Sequence, residues 1–255
     1  MKGIELTTNM KWLENRTILL TLTGSHAYGT NTNDSDKDYK GVCIPPEEYY
    51  LGLETFNEYN NTGGKNFKNT KDDVDISVMH LNKFVKDAMS GVPNNIEILF
   101  TDEQHIIKCN HFGKMLISHR QDFLSKAIKH KFGGYAYSQI QKLKAKNSNG
   151  TGRQDLIQKF GFDTKFASHS VRLLTSAIEI LQTGTFSTYR SNRDELLDIR
   201  NGKYTLNQIL KYVDSLDKEL TELYETSTKV PNKPDYHKIN KWLIDLNREA
   251  LEKIW

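Results

Sequence analysis

No apolar run in this chain is long enough to cross a bilayer as a helix. The most apolar stretch near the start, residues 17–23 (TILLTLT), is far too short. The opening MKGIELTTNM has no apolar signal-peptide core, so a cytoplasmic location and no membrane partner are expected. Cysteine is scarce. Cys43 and Cys109 are the two present, which excludes a disulfide framework and predicts reduced thiols. Internal repeats are absent. So is the aromatic-rich signature of the common RNA-recognition modules.

Net charge is small, +3 over 255 residues, but it is unevenly placed. Residues 1–118 carry 12 Lys/Arg against 16 Asp/Glu, and residues 119–255 carry 23 against 16. The most basic segment, 120–172, has 11 basic and 3 acidic residues. Such a stretch beside an acidic half fits a polyanion held against metal-binding carboxylates, although a solvated basic surface has the same composition. With 37% hydrophobic and 26% charged residues, the chain is long enough for one large globular domain or two small ones.

The first half reads as mixed α/β. Residues 17–23 are β-branched and apolar and stop at Gly24, which predicts a strand. Residues 38–44 predict a second strand, ended by Pro45 and Pro46. Residues 74–79 alternate and predict a third. The polar stretch 57–72 between the last two is expected to be a mobile connection or a long hairpin tip. Leu81, Phe84, Val85, Ala88 and Met89 then form one helical face, with Gly91 and Pro93 as the stop. Residues 95–100 fit either a helix or a strand.

The second half reads as helical. Residues 171–181 are apolar at helical spacing. Thr205 and Gln208 have the form of a capping box ahead of a stripe of Leu206, Ile209, Leu210, Val213, Leu216 and Leu220. Another stripe runs through Ile239, Trp242, Leu243, Leu246, Ala250 and Ile254. These stripes are expected to be bundle core. The polar run 144–154 (KAKNSNGTGRQ) is expected to be a loop or a lid.

Chemistry concentrates in Gly24-Ser-His-Ala-Tyr-Gly29 and the acidic run that follows it. Side chains two apart on a strand share a face, so Asp36 and Asp38 would present adjacent carboxylates. Two such groups repel unless a cation lies between them, and all-oxygen ligands favour magnesium. Asp75 is the third carboxylate by type, with Asp73 as the fallback on the same strand face. A calcium loop is excluded, because the positions that need Gly and Glu hold Tyr39 and Pro45. Gly24 and Ser25 at the end of the first strand suit a phosphate: glycine allows close backbone approach, and turn amides plus the hydroxyl donate.

The combination of G-S with D-x-D on a strand resembles the DNA polymerase beta superfamily of nucleotidyltransferases. GSHAYGTNTNDSDKDYKGV is similar, more closely, to the predicted nucleotidyltransferases associated with RNA ligases. The likeness continues through Asp75 in DVDISVMHLNKFVKDAMSGVPNNIEILF, KFASHSVRLL at 165–174 and YRSNRDELLDIRNGKY at 189–204. It departs locally at Val92-Pro93-Asn94, where the family tends to show Asn-Pro. The resemblance implies an α+β fold: a nucleotidyltransferase-type mixed sheet flanked by helices at 1–118, followed by an all-α domain at 119–255. It implies metal and catalytic roles for Asp36, Asp38 and Asp75, and phosphate roles for Gly24 and Ser25. Two magnesium ions are expected, with manganese as the alternative.

Lys165, His169 and Arg172 lie on one face of a helix; the spacing alone fits a solvated face with a capping or packing His, and the resemblance implies a clamp on the phosphates of the nucleotide or the acceptor. Arg190 and Arg193 are further candidates, and His26 and Tyr28 are candidates to line the nucleotide pocket. The expected reaction moves a nucleotide from a nucleoside triphosphate, ATP among them, to a hydroxyl, with RNA as the acceptor. Nucleotidylation of a protein or small molecule, and a silent nucleotide-binding module, are the competing readings.

Overall fold

The computed structural model describes residues 8–33, 35–61, 74–144 and 153–253. Five strands form one mixed sheet: β1 (Thr17–Leu22), β2 (Lys37–Cys43), β3 (Glu58–Asn61), β4 (Val74–His80) and β5 (Ile106–Cys109), in the order β3-β4-β2-β1-β5. Only the β2–β4 pair is parallel among these described strands. The three strands expected from the sequence are present, with ends shifted by a residue. Within the polar stretch, residues 58–61 pair with β4, where Tyr59 is buried on the sheet. The remainder of that stretch, 62–72, and most of the polar run, 145–152, lie outside the described residues.

The alternation of side chains divides the sheet into two chemically different faces. Tyr39, Ile76 and Val78 turn to one side and pack with Leu13, Leu20 and Cys43. Asp38, Lys40 and Val42 turn to the other, with Asp75, Ser77 and Met79 opposite them in register. Val42 belongs to the large core beneath the helices, whereas Asp38 and Asp75 stand at the N-terminal ends of the two strands.

Helices cover the polar-ended face. Short α1 (Leu13–Arg16), α2 (Gly24–Tyr28) and α3 (Glu48–Leu51) lie among the strands. α4 (Leu81–Met89) buries Leu81, Phe84, Val85 and Ala88, and the His80 imidazole caps it by accepting from the Asn82 amide. Gly91 at φ 75° breaks the chain direction, and Pro93 opens α5 (Pro93–Leu99) at its first turn. The ambiguous 95–100 segment is therefore helical to residue 99. It gave no clear period because α5 is buried nearly all round.

The helical half comprises α6 (His111–Ser118), α7 (Ile128–Lys144), α8 (Gln154–Phe160), α9 (Thr164–Thr183), α10 (Arg193–Arg200), α11 (Leu206–Thr226) and α12 (Tyr236–Glu252). α9 is central and packs against α7, α10 and α11. Asp163 caps its start by accepting from the Lys165 and Phe166 amides. The expected capping box exists: the Gln208 amide donates to Thr205 Oγ1 at 3.3 Å, and the Thr205 amide to Gln208 Oε1 at 2.8 Å. Ile209, Leu216 and Leu220 are buried, as are Ile239, Leu246 and Ala250 of the last stripe, while Ile254 is outside the described residues. The apolar core runs without a break from Ile18 and Val42 of the sheet to Leu246 of α12.

One polar tie crosses that core. Arg172 of α9 donates to Glu97 Oε1 of α5, and both side chains are 5% exposed. Tyr28 of α2 donates its hydroxyl to Glu97 Oε2 at 2.7 Å, and the Arg172 guanidinium lies 3.8 Å from the centre of the Tyr28 ring. Burial by itself would raise the Glu97 pKa. The Arg172 charge and the hydrogen bonds from Tyr28 and Arg172 outweigh it and hold the carboxyl below its usual range. The Arg172 pKa is raised, because Glu97 overcomes the opposing effect of burial.

Glu97→Gln leaves Arg172 buried and unpaired, which costs about 3–5 kcal/mol. The stabilisation from a depressed carboxylate is complete above its unfolded pKa and lost as pH falls through its folded value. Urea unfolding should therefore show the full deficit of the variant near pH 7 and a smaller one in acid strong enough to protonate Glu97 in the folded wild type, which has then lost the same contribution. An equal deficit at both pH values would show that the pair's charge is not what stabilises the fold.

Candidate active site

The end of β1 is fastened to the start of β2. Thr23 donates its amide to the Asp38 carbonyl at 2.7 Å and its hydroxyl to the same oxygen at 3.1 Å. This brings the following turn against the Asp38 side chain. Gly24 adopts φ +66°, and a Cβ there would lie 2.6 Å from Asp38 Oδ2. The backbone conformation thus favours glycine, and any Cβ would also push the Asp38 carboxylate aside. α2 begins at Gly24 with no side-chain cap, so no capping side chain takes the amides of its first turn.

Asp38 and Asp75 are register partners across β2 and β4, and Asp36 immediately precedes β2. The Asp38 carboxyl is held above its usual range, first by burial, then by the negative charges of Asp36 and Asp75, against the opposing pull of Lys40 and His26. Asp38 therefore feels both neighbouring carboxylates. Among the described residues, no three or more His, Cys, Asp or Glu side chains come together as a ready-made metal cage. Magnesium seldom uses such a cage. It keeps waters and takes one or two carboxylates together with substrate phosphate oxygens. The raised proton affinity of Asp38 and the all-oxygen donor set fit that kind of ion. Asp73, the fallback ligand, lies outside the described residues.

Gly24, Ser25, Asp36, Asp38, Lys165, His169 and Arg172 line one cleft of about 510 Å3. Asp75 is not in the lining; it is the register partner of Asp38 on the neighbouring strand. The helical wall differs in detail from a face of three free cations. His169 is pushed down to about 3, first by burial and then by Arg172, so its imidazole is neutral at physiological pH. The charge of Arg172 is engaged by Glu97. Of the three, Lys165 is the cation that Glu97 leaves available to a ligand.

Two arginines that the sequence did not single out as site residues accompany it. Arg153 and Arg200 also line the cleft, and the pKa of Lys165 is lowered by burial and then by these two charges. The Arg200 pKa is lowered by burial and by Arg153, while Asp36 opposes the shift. Arg200 donates to the Thr30 carbonyl at 3.2 Å, and Arg153 Nη1 lies 3.5 Å from Asp163. Three mutually repelling cations thus face the Asp36 side of the site. Lys40 was missed as well. The alternation that pairs residue 36 with residue 38 also puts residue 40 on that face, and it lines the cleft.

Other sequence candidates lie elsewhere. Arg190 is buried against Glu179 and donates to the Ser187 carbonyl at 2.9 Å; Arg193 stacks on Tyr189 at 5.4 Å. Neither lines the cleft. Tyr28 does line it, with its hydroxyl committed to Glu97. His26 Nε2 is buried without a hydrogen-bond partner among the described residues.

An uncharacterized 38.9 kDa protein from the nrdC-mobD intergenic region of Enterobacteria phage T4 is 30% identical over 146 residues, 56% of this chain. The chain spans 43% of that relative's length. A nucleotidyltransferase-like protein from Exiguobacterium sibiricum aligns over 92% of this chain and 74% of its own, with 9% identity and a TM-score of 0.30. The model of the RNA repair pathway DNA polymerase beta family matches residues 3–245, nearly the whole chain. The chain belongs to that family.

Proposed function

We propose that this chain is a nucleotidyltransferase that moves a nucleoside monophosphate from a nucleoside triphosphate, ATP among the candidates, to a hydroxyl of RNA. The observation that carries the reading is the shared cleft: a phosphate-type turn, two carboxylates and a cation cluster line one space. The match to an RNA repair pathway family favours RNA as the acceptor.

The triphosphate lies with its oxygens on the Gly24-Ser25 turn. Its outer phosphates meet Lys165, Arg153 and Arg200, whose mutual repulsion an anion relieves. Asp36 and Asp38, with Asp75 on the neighbouring strand, would hold two magnesium ions, manganese being the alternative. When bound, such ions neutralise phosphate charge and lower the pKa of the attacking hydroxyl. Asp75 accepts the hydroxyl proton. The acceptor oxygen forms its bond to the α-phosphorus as the bond to the bridging oxygen breaks, and pyrophosphate leaves toward the cations. Neutral His169 donates a hydrogen bond without adding charge, and Arg172 holds Tyr28 and Glu97 in the wall. Most of the rate enhancement comes from positioning and charge compensation.

Incubation with each labelled nucleoside triphosphate, magnesium and either total RNA or cell protein tests the reading. Label should enter RNA. Label in a protein band instead would overturn the acceptor assignment, and no transfer at all would overturn the catalytic one. Asp38→Asn should cut transfer by roughly 100-fold or more, on the scale of losing one charge-stabilising group.

The same variant has a stability signature. Because the folded Asp38 pKa is raised, the folded state binds more protons than the unfolded one across that interval, and stability falls as pH rises through it. In the metal-free protein at neutral pH, Asp38→Asn should therefore raise Tm while activity is lost. A fall in Tm would show that Asp38 is structural. Lys165→Met should raise the KM for the triphosphate about tenfold, the scale of one charge-assisted contact. An unchanged KM would remove Lys165 from the phosphate site.

A further inference from the structure

A second cavity, of about 360 Å3, lies beside the cleft and shares Lys40 and Asn94 with it. This volume is within the usual range of small-ligand sites. Its floor is the sheet face that carries Asp38 and Asp75. Lys40 and Ser77 are register partners on that face, and Glu58 of β3 sits opposite Met79 of β4. α4 supplies Lys83 and Asp87 to the wall, and α7 supplies Tyr135.

The strand order gives this placement a chemical direction. β1 ends at the phosphate turn, β2 and β4 carry the carboxylates, and the second cavity lies over β2, β4 and β3. In-line displacement needs the attacking oxygen and the leaving pyrophosphate on opposite sides of the phosphorus. With pyrophosphate held on the β1 side by the turn and the cation cluster, the hydroxyl approaches from the β4 side.

The cavity lining does not suit a phosphate. Its two lysines face two carboxylates, and Lys83 is paired with Asp87 at 2.8 Å. Ser77 and Asn94 offer neutral donors and acceptors. Tyr135 is 49% exposed and offers a ring face. A flat, uncharged body with hydrogen-bonding edges fits this lining, and a nucleobase is such a body.

We propose that this cavity takes the terminal nucleoside of an RNA acceptor and presents its hydroxyl to the Asp38–Asp75 pair. The inference rests on the reading of the main cleft as the site of nucleotide transfer.

The test uses the full chain with magnesium, a non-hydrolysable triphosphate analogue and a single-stranded oligoribonucleotide ending in 4-thiouridine. Irradiation should crosslink the terminal base to peptides that carry Tyr135, Met79 or Lys83. Tyr135→Ala, at a half-exposed site outside the nucleotide cleft, should raise the oligonucleotide KM roughly tenfold, the loss of one base–aromatic stack, and leave the triphosphate KM unchanged. Its circular dichroism and Tm should match the wild type. Analogue binding with crosslinks only outside this cavity would overturn the acceptor site and leave the nucleotide reading intact. Crosslinks in the cavity without analogue binding would support an RNA site here and overturn the reading of the main cleft. A Tyr135→Ala effect on both KM values would also count against a separate acceptor site.

Discussion

The buried pair of Arg172 and Glu97 sets the distance between the two walls of the cleft. Glu97 sits on the helix that follows the sheet, Arg172 on the central helix of the second half, and Tyr28 on the turn that carries the phosphate motif. One carboxylate thus fixes three segments far apart in sequence. A hydrophobic contact could supply as much stability, since buried ion pairs often no more than offset their desolvation. What the pair adds is direction: the bonds of Glu97 to Tyr28 and Arg172 permit little sliding of one half against the other.

The character of the cleft follows from gathering like charges on each of its sides. Asp36, Asp38 and Asp75 repel on one side, and Arg153, Lys165 and Arg200 repel on the other. On the proposed reading, a triphosphate with its metal ions would bring cations to the acidic side and an anion to the basic side. Free of ligand, the protein is frustrated at this place, and the adjoining core carries the cost. The uneven charge of the two halves of the sequence is the long-range image of this local arrangement.

Much of this was legible in the sequence. The three strands, the face of α4, the capping box at Thr205 and the core stripes follow from period and cap chemistry, which are local. β3 was hidden, because only Tyr59 in its four residues is apolar and its pairing with β4 is a tertiary event. The site motif at residues 24–38 was legible because turn and strand are adjacent in the chain. Arg153 and Arg200 were not recognised as site residues, since only folding brings the start of α8 and the end of α10 to α9. The charge states of His169 and Arg172 were not legible, for a related reason. Helical spacing puts them on one face, but the charge each carries depends on burial and on Glu97, 75 residues from Arg172.

His169 ends up as an imidazole that stays unprotonated far below neutrality, because Arg172 and the surrounding protein make a second positive charge there too costly. Acidification over the range in which most histidines titrate therefore leaves the helical wall electrically unchanged. A residue type usually associated with sensing pH here insulates the binding surface from it.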